Sequence, residues 1–118
     1  MLWKKILLIT KSFAFAIRII NLYKFLCETK HEHILSKQIL RCGTSIGANV
    51  KEAERGQSRA DFGAKMSIAL KEANETEYWL QLLFATNYIS QEQAQSIISD
   101  CEELIKLLVS ITKTTYNK

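Results

Sequence analysis

The chain has 118 residues, no proline and only four glycines, and 47% of its residues are apolar. At this length a single domain, 1–118, is expected to bury about 60–70% of its unfolded surface. A composition so poor in turn formers excludes a strand-rich fold and favours long helices. The net charge of +4 is uneven: residues 1–59 hold eleven Lys/Arg against four acids, and residues 60–118 hold five against eight. Such asymmetry suits an anionic partner, or subunits that attract one another.

The N-terminus imitates a secretion signal, with Lys4 and Lys5 before an apolar run and Ala14-Phe15-Ala16 in place of a cleavage box. The run Ile6 to Ile9 is too short for a secretory core and Lys11 interrupts it, so cleavage is not expected. No stretch offers the ~20 uninterrupted apolar residues of a membrane span. The expectation is a soluble, cytoplasmic protein with no membrane partner. Cys27, Cys42 and Cys101 are odd in number, widely spaced and set in apolar helical surroundings, which argues against disulfides and fits core thiols in a reducing compartment.

The first helix is expected over about 5–29, its start open between Lys5 and Lys11. Phe15, Ile19, Leu22, Tyr23, Leu26 and Cys27 share one broad face at helical spacing, with Arg18, Asn21, Lys24 and Glu28 opposite. Phe13, Ile17 and Phe25 fall outside that face and suggest a further contact surface. A polar segment, Lys30 to His33, ends the helix.

A second helix, about 34–56, is the cleanest amphipathic one. Leu35, Ile39, Cys42, Ile46, Val50 and Ala53 form its apolar arc, with Lys37, Arg41, Lys51 and Arg55 nearly opposite. Gly43 and Gly47 each cost about 1 kcal/mol of helix propensity relative to alanine, which implies that another backbone comes close. The third helix, about 59–88, opens with Ser58 as cap and Asp61 in the first turn. Its core stripe is Phe62, Met66, Ala69, Leu70, Ala73, Leu80 and Phe84, with Glu77 in the middle, where a carboxylate needs a partner. Ala64, Ile68, Tyr78, Trp79 and Leu82 occupy the opposite side and are too apolar for water, so they are assigned to an oligomer interface. Ser90 and Gln93 make a capping box for a fourth helix, about 90–115, whose stripe is Ala94, Ile97, Ile98, Cys101, Leu104, Ile105 and Leu108. Connections this short favour antiparallel neighbours, hence an all-α, up-down-up-down four-helix bundle.

The run SKQILRCGTSIGANVKEA at 36–53, followed by GQSRADF at 56–62, ALKEA at 69–73 and Glu77, resembles the bacterial four-helix-bundle family encoded in intervening sequences of large-subunit ribosomal RNA genes. The resemblance covers about residues 11–110. It implies a cytoplasmic bundle that assembles as a ring, usually of five subunits, with no established enzymatic activity. The resemblance further implies a distant relation to accessory proteins of diversity-generating retroelements, which bind nucleic acid and a reverse transcriptase through a basic outer surface. Within the matching motif Arg41, Ser45, Asn49, Glu52 and Glu77 fall on the family's recurring polar positions.

Catalytic signatures are lacking. Glu28-x-x-His31 is half of a di-iron carboxylate motif, but a second copy is absent from the sequence. His31-x-His33 sits in a charged connector and reads as solvated, so no metal or cofactor is expected. There is no glycine-rich phosphate loop, and the three thiols have no evident base. The best functional candidate is the basic stripe Lys37, Arg41, Lys51 and Arg55, extended by Arg59, which a ring would repeat and so multiply weak phosphate contacts. The expected function is therefore a non-enzymatic oligomeric scaffold binding RNA or DNA without sequence preference, with a nucleic-acid enzyme as a further partner. The alternative is a protein-interaction or assembly module with no nucleic-acid binding. Arg41 lies among Thr44, Ser45 and Ala48, which admit a neighbouring helix, and is expected at the oligomer interface with Glu52 or Glu77 as its partner. Asn49 and Glu77 are the expected buried polar residues.

Overall fold

The computed structural model describes residues 2–116. Four helices, α1 (Leu2–Glu28), α2 (Leu35–Glu54), α3 (Arg59–Ala85) and α4 (Gln91–Tyr116), follow one another in an antiparallel bundle of 46 × 21 × 19 Å. α1 packs along α2 and α4, and α3 along α2 and α4, while the α1–α3 diagonal is touched where Lys5 lies over the Phe62 ring. The bundle is thus a square with α2 and α4 at the corners flanking α1.

The core forms where the four apolar stripes converge. Leu8, Phe15, Ile19 and Leu26 come from α1, Ile39, Cys42, Ile46 and Val50 from α2, and Met66, Ala69, Ala73, Leu80 and Leu83 from α3; α4 adds Ala94, Ile97, Cys101, Leu104, Leu108 and Ile111. Residues at i, i+3, i+4 and i+7 share one side of a helix, so the sequence pattern and the burial coincide. Phe84 is the exception. Expected in the core of α3, it is 42% exposed, standing at the rim beside Ile98 and Glu102 of α4, while its neighbour Leu83 takes the fully buried place.

α1 starts at Leu2, earlier than the pattern suggests. Its first turns are held by packing: Leu8 is fully buried, Lys4 Nζ donates to Ser110 Oγ at 2.6 Å, and Lys5 lies over the Phe62 ring at 4.5 Å. Over an 18-residue window α1 is apolar enough to cross a membrane by length and composition alone, yet only 22% of that window is buried in the bundle.

Capping chemistry sets the connections. Between α1 and α2, His31 takes a left-handed φ of 54°, and the Glu32 carboxylate accepts backbone N–H bonds from Ile34 (3.1 Å), Leu35 (3.0 Å) and Ser36 (2.7 Å). Burial pushes the Glu32 carboxyl up, but those three amides, with His33, outweigh it and hold the pKa below its usual value. Ser58 Oγ accepts from the Asp61 amide at 3.0 Å, as the cap pattern requires. Asn87, at φ 67°, turns the chain after α3, and Ser90 and Gln93 exchange side-chain and backbone bonds of 2.8 and 3.1 Å.

The two helical glycines seat α1 on α2. A Cβ on Gly47 would come within 3.3 Å of the Ser12 backbone oxygen, and one on Gly43 within 2.7 Å of Ile19 Cγ1. Gly43→Ala gains about 1 kcal/mol of helix propensity but must displace a fully buried isoleucine, and overpacking of this kind costs about 1–3 kcal/mol. We expect a net loss in a urea titration for Gly43→Ala, partly restored by adding Ile19→Val. A stabilised single variant would show that the contact is slack.

Candidate functional site

The basic stripe is present on the outside of α2, but its five members are not equivalent. Lys37, Arg41, Lys51, Arg55 and Arg59 are all exposed. Arg41 is committed: its guanidinium donates to Glu72 Oε2 at 3.3 Å and to the Glu75 carboxylate, which also accepts the Trp79 indole N–H at 3.1 Å. Both carboxylates are more sheltered than the arginine, at 13% and 31% side-chain exposure against 50%, so the pair ties α2 to α3. Arg41 was expected to find Glu52 or Glu77; instead Glu52 pairs with Lys65 at 3.4 Å. Arg59 is committed as well, donating from Nε and Nη2 to the Thr115 carbonyl at 3.2 and 2.9 Å in the last turn of α4, where a cation is favoured. Among the described residues no salt bridge holds Lys37, Lys51 or Arg55. Lys51 and Arg55 border a shallow depression with Gln57, Asp61 and Lys65.

The two polar residues expected in the interior stand half-buried. Asn49 satisfies itself locally, its amide donating to the Ser45 carbonyl at 2.8 Å. Glu77 leans toward α4, and what it meets there is another carboxyl, Glu102. Burial first, and then the hydrogen bond and charge of Glu102, hold the Glu77 pKa above its usual value. Beside them Cys101 is fully buried, bonds the Ala73 carbonyl at 3.3 Å, and is pushed up to about 12 mainly by burial. Such a thiol is inert as a nucleophile at neutral pH. Among the described residues no group of His, Cys, Asp and Glu is placed to hold a metal ion.

Two apolar faces remain. On α3, Ala64, Ile68 and Tyr78 are exposed while Trp79 and Leu82 are half-buried, the Tyr78 and Trp79 rings meeting edge to face at 5.5 Å. On α1, Leu2, Trp3, Ile6, Phe13, Ile17 and Ile20 are exposed, Leu2 and Phe13 by 71% and 70%. Next to Phe13 an open groove of about 670 Å³ runs between α1 and α2, lined by Ile9, Ala16, Thr44, Gly47 and Ala48 among others. Large apolar side chains clustered this way on one face are unusual for a surface meant only for water.

Residues 4–110 match the sequence model of the 23S rRNA-intervening sequence protein. The chain belongs to that family. A crystal structure of a protein of unknown function from the S23 ribosomal protein family of Bacteroides thetaiotaomicron is 61% identical, covers 93% of this chain and 98% of its own, and superposes with a TM-score of 0.92. No functionally curated protein matches the chain. Family membership thus fixes the bundle and its relatives without supplying an activity.

Reading the sequence for function singled out Phe13 and Ile17 on α1, but not Leu2, Trp3, Ile6 or Ile20. Their signal was a second apolar stripe in the same helix, at Leu2, Ile6, Ile9, Phe13, Ile17 and Ile20, spaced by three and four.

Two substitutions test this geometry. Arg41→Ala leaves two sheltered carboxylates side by side and should lower stability by about 1–2 kcal/mol in chemical denaturation, with Arg41→Lys retaining part because one ammonium replaces a forked donor. No loss in either would mean that the bridge is solvent-screened. For Glu77, a carboxyl raised in the folded state contributes stability below its unfolded pKa, and that contribution is lost as pH rises through the folded value. Glu77→Gln should therefore gain melting temperature relative to wild type at pH 8 and lose that advantage toward pH 4. A constant difference across that range would remove the Glu102 pairing.

Proposed function

We propose that this chain is a non-enzymatic assembly module whose partner is protein, in the first place further copies of itself. The observation that carries this reading is the exposed apolar face of α1, continued by the groove beside Phe13 and matched by a second face on α3. A helix in a four-helix bundle needs one apolar stripe; α1 carries two, and water is a poor partner for the second. A ring of five is the number that the family resemblance implies.

A second reading, sequence-independent binding of RNA or DNA, is favoured by Lys37, Lys51 and Arg55, which share one helix and lack carboxylate partners among the described residues. With Arg41 held by Glu72 and Glu75, and Arg59 by Thr115, the surface offers fewer cations per subunit than the stripe of five promises. Affinity would then depend on repetition around an oligomer.

Light scattering on micromolar protein, with filter binding of RNA at two salt concentrations, tests both readings. The assembly reading expects an oligomer, and a monomer sinks it. The nucleic-acid reading expects retention that falls steeply with salt and is reduced by Lys51→Glu combined with Arg55→Glu; no retention at low salt removes it.

A further inference from the structure

We propose that the groove between α3 and α4 is a docking surface for an arginine-bearing amphipathic helix of another protein, its guanidinium seated between Glu77 and Glu102 and its apolar residues on either side. The proposal goes beyond self-association. It uses a side of the bundle apart from the exposed face of α1 and from the basic stripe of α2.

The groove is apolar at both ends and acidic in the middle. On α3, Leu70, Glu77 and Phe84 stand one heptad apart on the side turned to α4, and on α4, Ile98, Glu102, Ile105 and Val109 follow one another by four, three and four. Residues so spaced share one side of a helix. At one end Phe84, Ile98 and Glu102 line an open groove of about 270 Å³. Because α3 and α4 are antiparallel and Glu77 meets Glu102, Leu70 stands level with Val109 at the other end. Phe84 and Val109 are 42% and 46% exposed, and Leu70, Ile98 and Ile105 are half-buried. Leu70 and Phe84 lie about 21 Å apart along α3, the length of about four helical turns. An amphipathic helix laid in a groove uses a span of this kind.

The carboxyl pair determines what fits between those ends. Two carboxylates side by side repel when ionised, and burial, with the hydrogen bond and charge of Glu102, holds Glu77 above its usual pKa. Among the described residues no cation answers them: Lys106, one turn beyond Glu102, and Lys71 on α3 make no salt bridge. All four arginines lie elsewhere, Arg18 on Asp100, Arg41 on Glu72 and Glu75, Arg59 on the Thr115 carbonyl and Arg55 at the end of α2. The chain itself shows what such a pair takes. On the side of α3 toward α2, one guanidinium, that of Arg41, bridges the neighbouring carboxylates Glu72 and Glu75. A guanidinium offers parallel donors to two acceptors, which an ammonium does not.

The same chemistry sets other occupants aside. Phosphate is repelled by two carboxylates, so this side of the bundle does not suit nucleic acid. A second copy of this chain does not match either. The exposed apolar face of α1, at Ile6, Phe13, Ile17 and Ile20, has no cation between its ends, and on α2 the stripe of Lys37, Lys51 and Arg55 is interrupted by Thr44 and Ala48 rather than flanked by large apolar residues. A matching helix carries one arginine with leucine- or phenylalanine-sized residues about two turns before and after it, opposite Phe84 and Ile98 at one end and Leu70, Ile105 and Val109 at the other.

The probe is a synthetic alanine-based helix of about 15 residues, stapled on its outer face, with arginine at the centre and leucine one and two turns to either side, titrated by fluorescence anisotropy with the full chain. Micromolar binding is expected, weakened about tenfold or more when glutamine replaces the arginine, with lysine in between. Glu77→Gln combined with Glu102→Gln should cost as much as the glutamine peptide, in a variant that stays folded by circular dichroism because it relieves a like-charge pair. Phe84→Ala should weaken binding, whereas Glu92→Gln, exposed in the first turn of α4 and outside the groove, should not. Equal binding of the arginine and glutamine peptides overturns the proposal, as does binding unchanged in the double variant, or none at about 100 µM chain. Light scattering keeps the two readings apart: a monomer that binds the arginine peptide sinks self-association alone, and an oligomer that ignores it sinks only the groove.

Discussion

The close contact of α1 with α2, at Gly43 and Gly47, is the constraint on which the rest depends. Two glycines in one helix cost about 2 kcal/mol of propensity together, and the return is an approach that lets Ser12 and Ile19 sit directly on the α2 backbone. With α1 seated so deeply, its rotation is settled: Leu8, Phe15, Ile19 and Leu26 face the core, and the side toward α4 carries cations. Lys4, Lys11 and Arg18, one heptad apart, reach Ser110, Glu103 and Asp100 across that boundary. The remaining side of α1 has neither core nor counter-charge, and there the apolar residues are left outside.

Polar groups in this bundle work mostly as fasteners. Glu32 gathers three amides at the start of α2, Arg41 bridges two carboxylates of α3, and Arg59 closes the end of α4. Thr76 and Ser12, buried among apolar neighbours, return their hydroxyls to carbonyls of their own helix, at Glu72 and Ile9. Such satisfied groups add little net stability but would each be costly to orphan. They also deplete the outer surface of cations, which is why an apparently continuous basic stripe becomes three uncommitted side chains.

A surface divided in this way suits an assembly module better than a nucleic-acid reader acting alone. Exposed apolar side chains supply non-directional attraction, while Glu72, Glu75, Asp100 and Glu103 commit their charge to Arg41, Arg18 and Lys11 within the bundle. Three phosphate contacts on one chain are weak at physiological salt, so Lys37, Lys51 and Arg55 alone make a poor nucleic-acid site.

The sequence by itself determined the helices, their order and most of the core, because burial on one side of a helix writes a 3.6-residue period that survives without knowledge of the partners. It also announced the Ser58 cap and the Ser90–Gln93 box, since both are local bonds between residues three apart. Tertiary structure alone decided the partners of Arg41, Arg59 and Glu77, because each lies on a different helix, at Glu72 and Glu75, at Thr115 and at Glu102. It also supplies the reason that the stripe of Phe15, Ile19 and Leu26, already legible as the main face of α1, is the one that turns inward. Both apolar stripes of α1 have helical spacing, and only the side that can sit against Gly43 and Gly47 gains a close-packed neighbour; the other is left to whatever meets the bundle from outside.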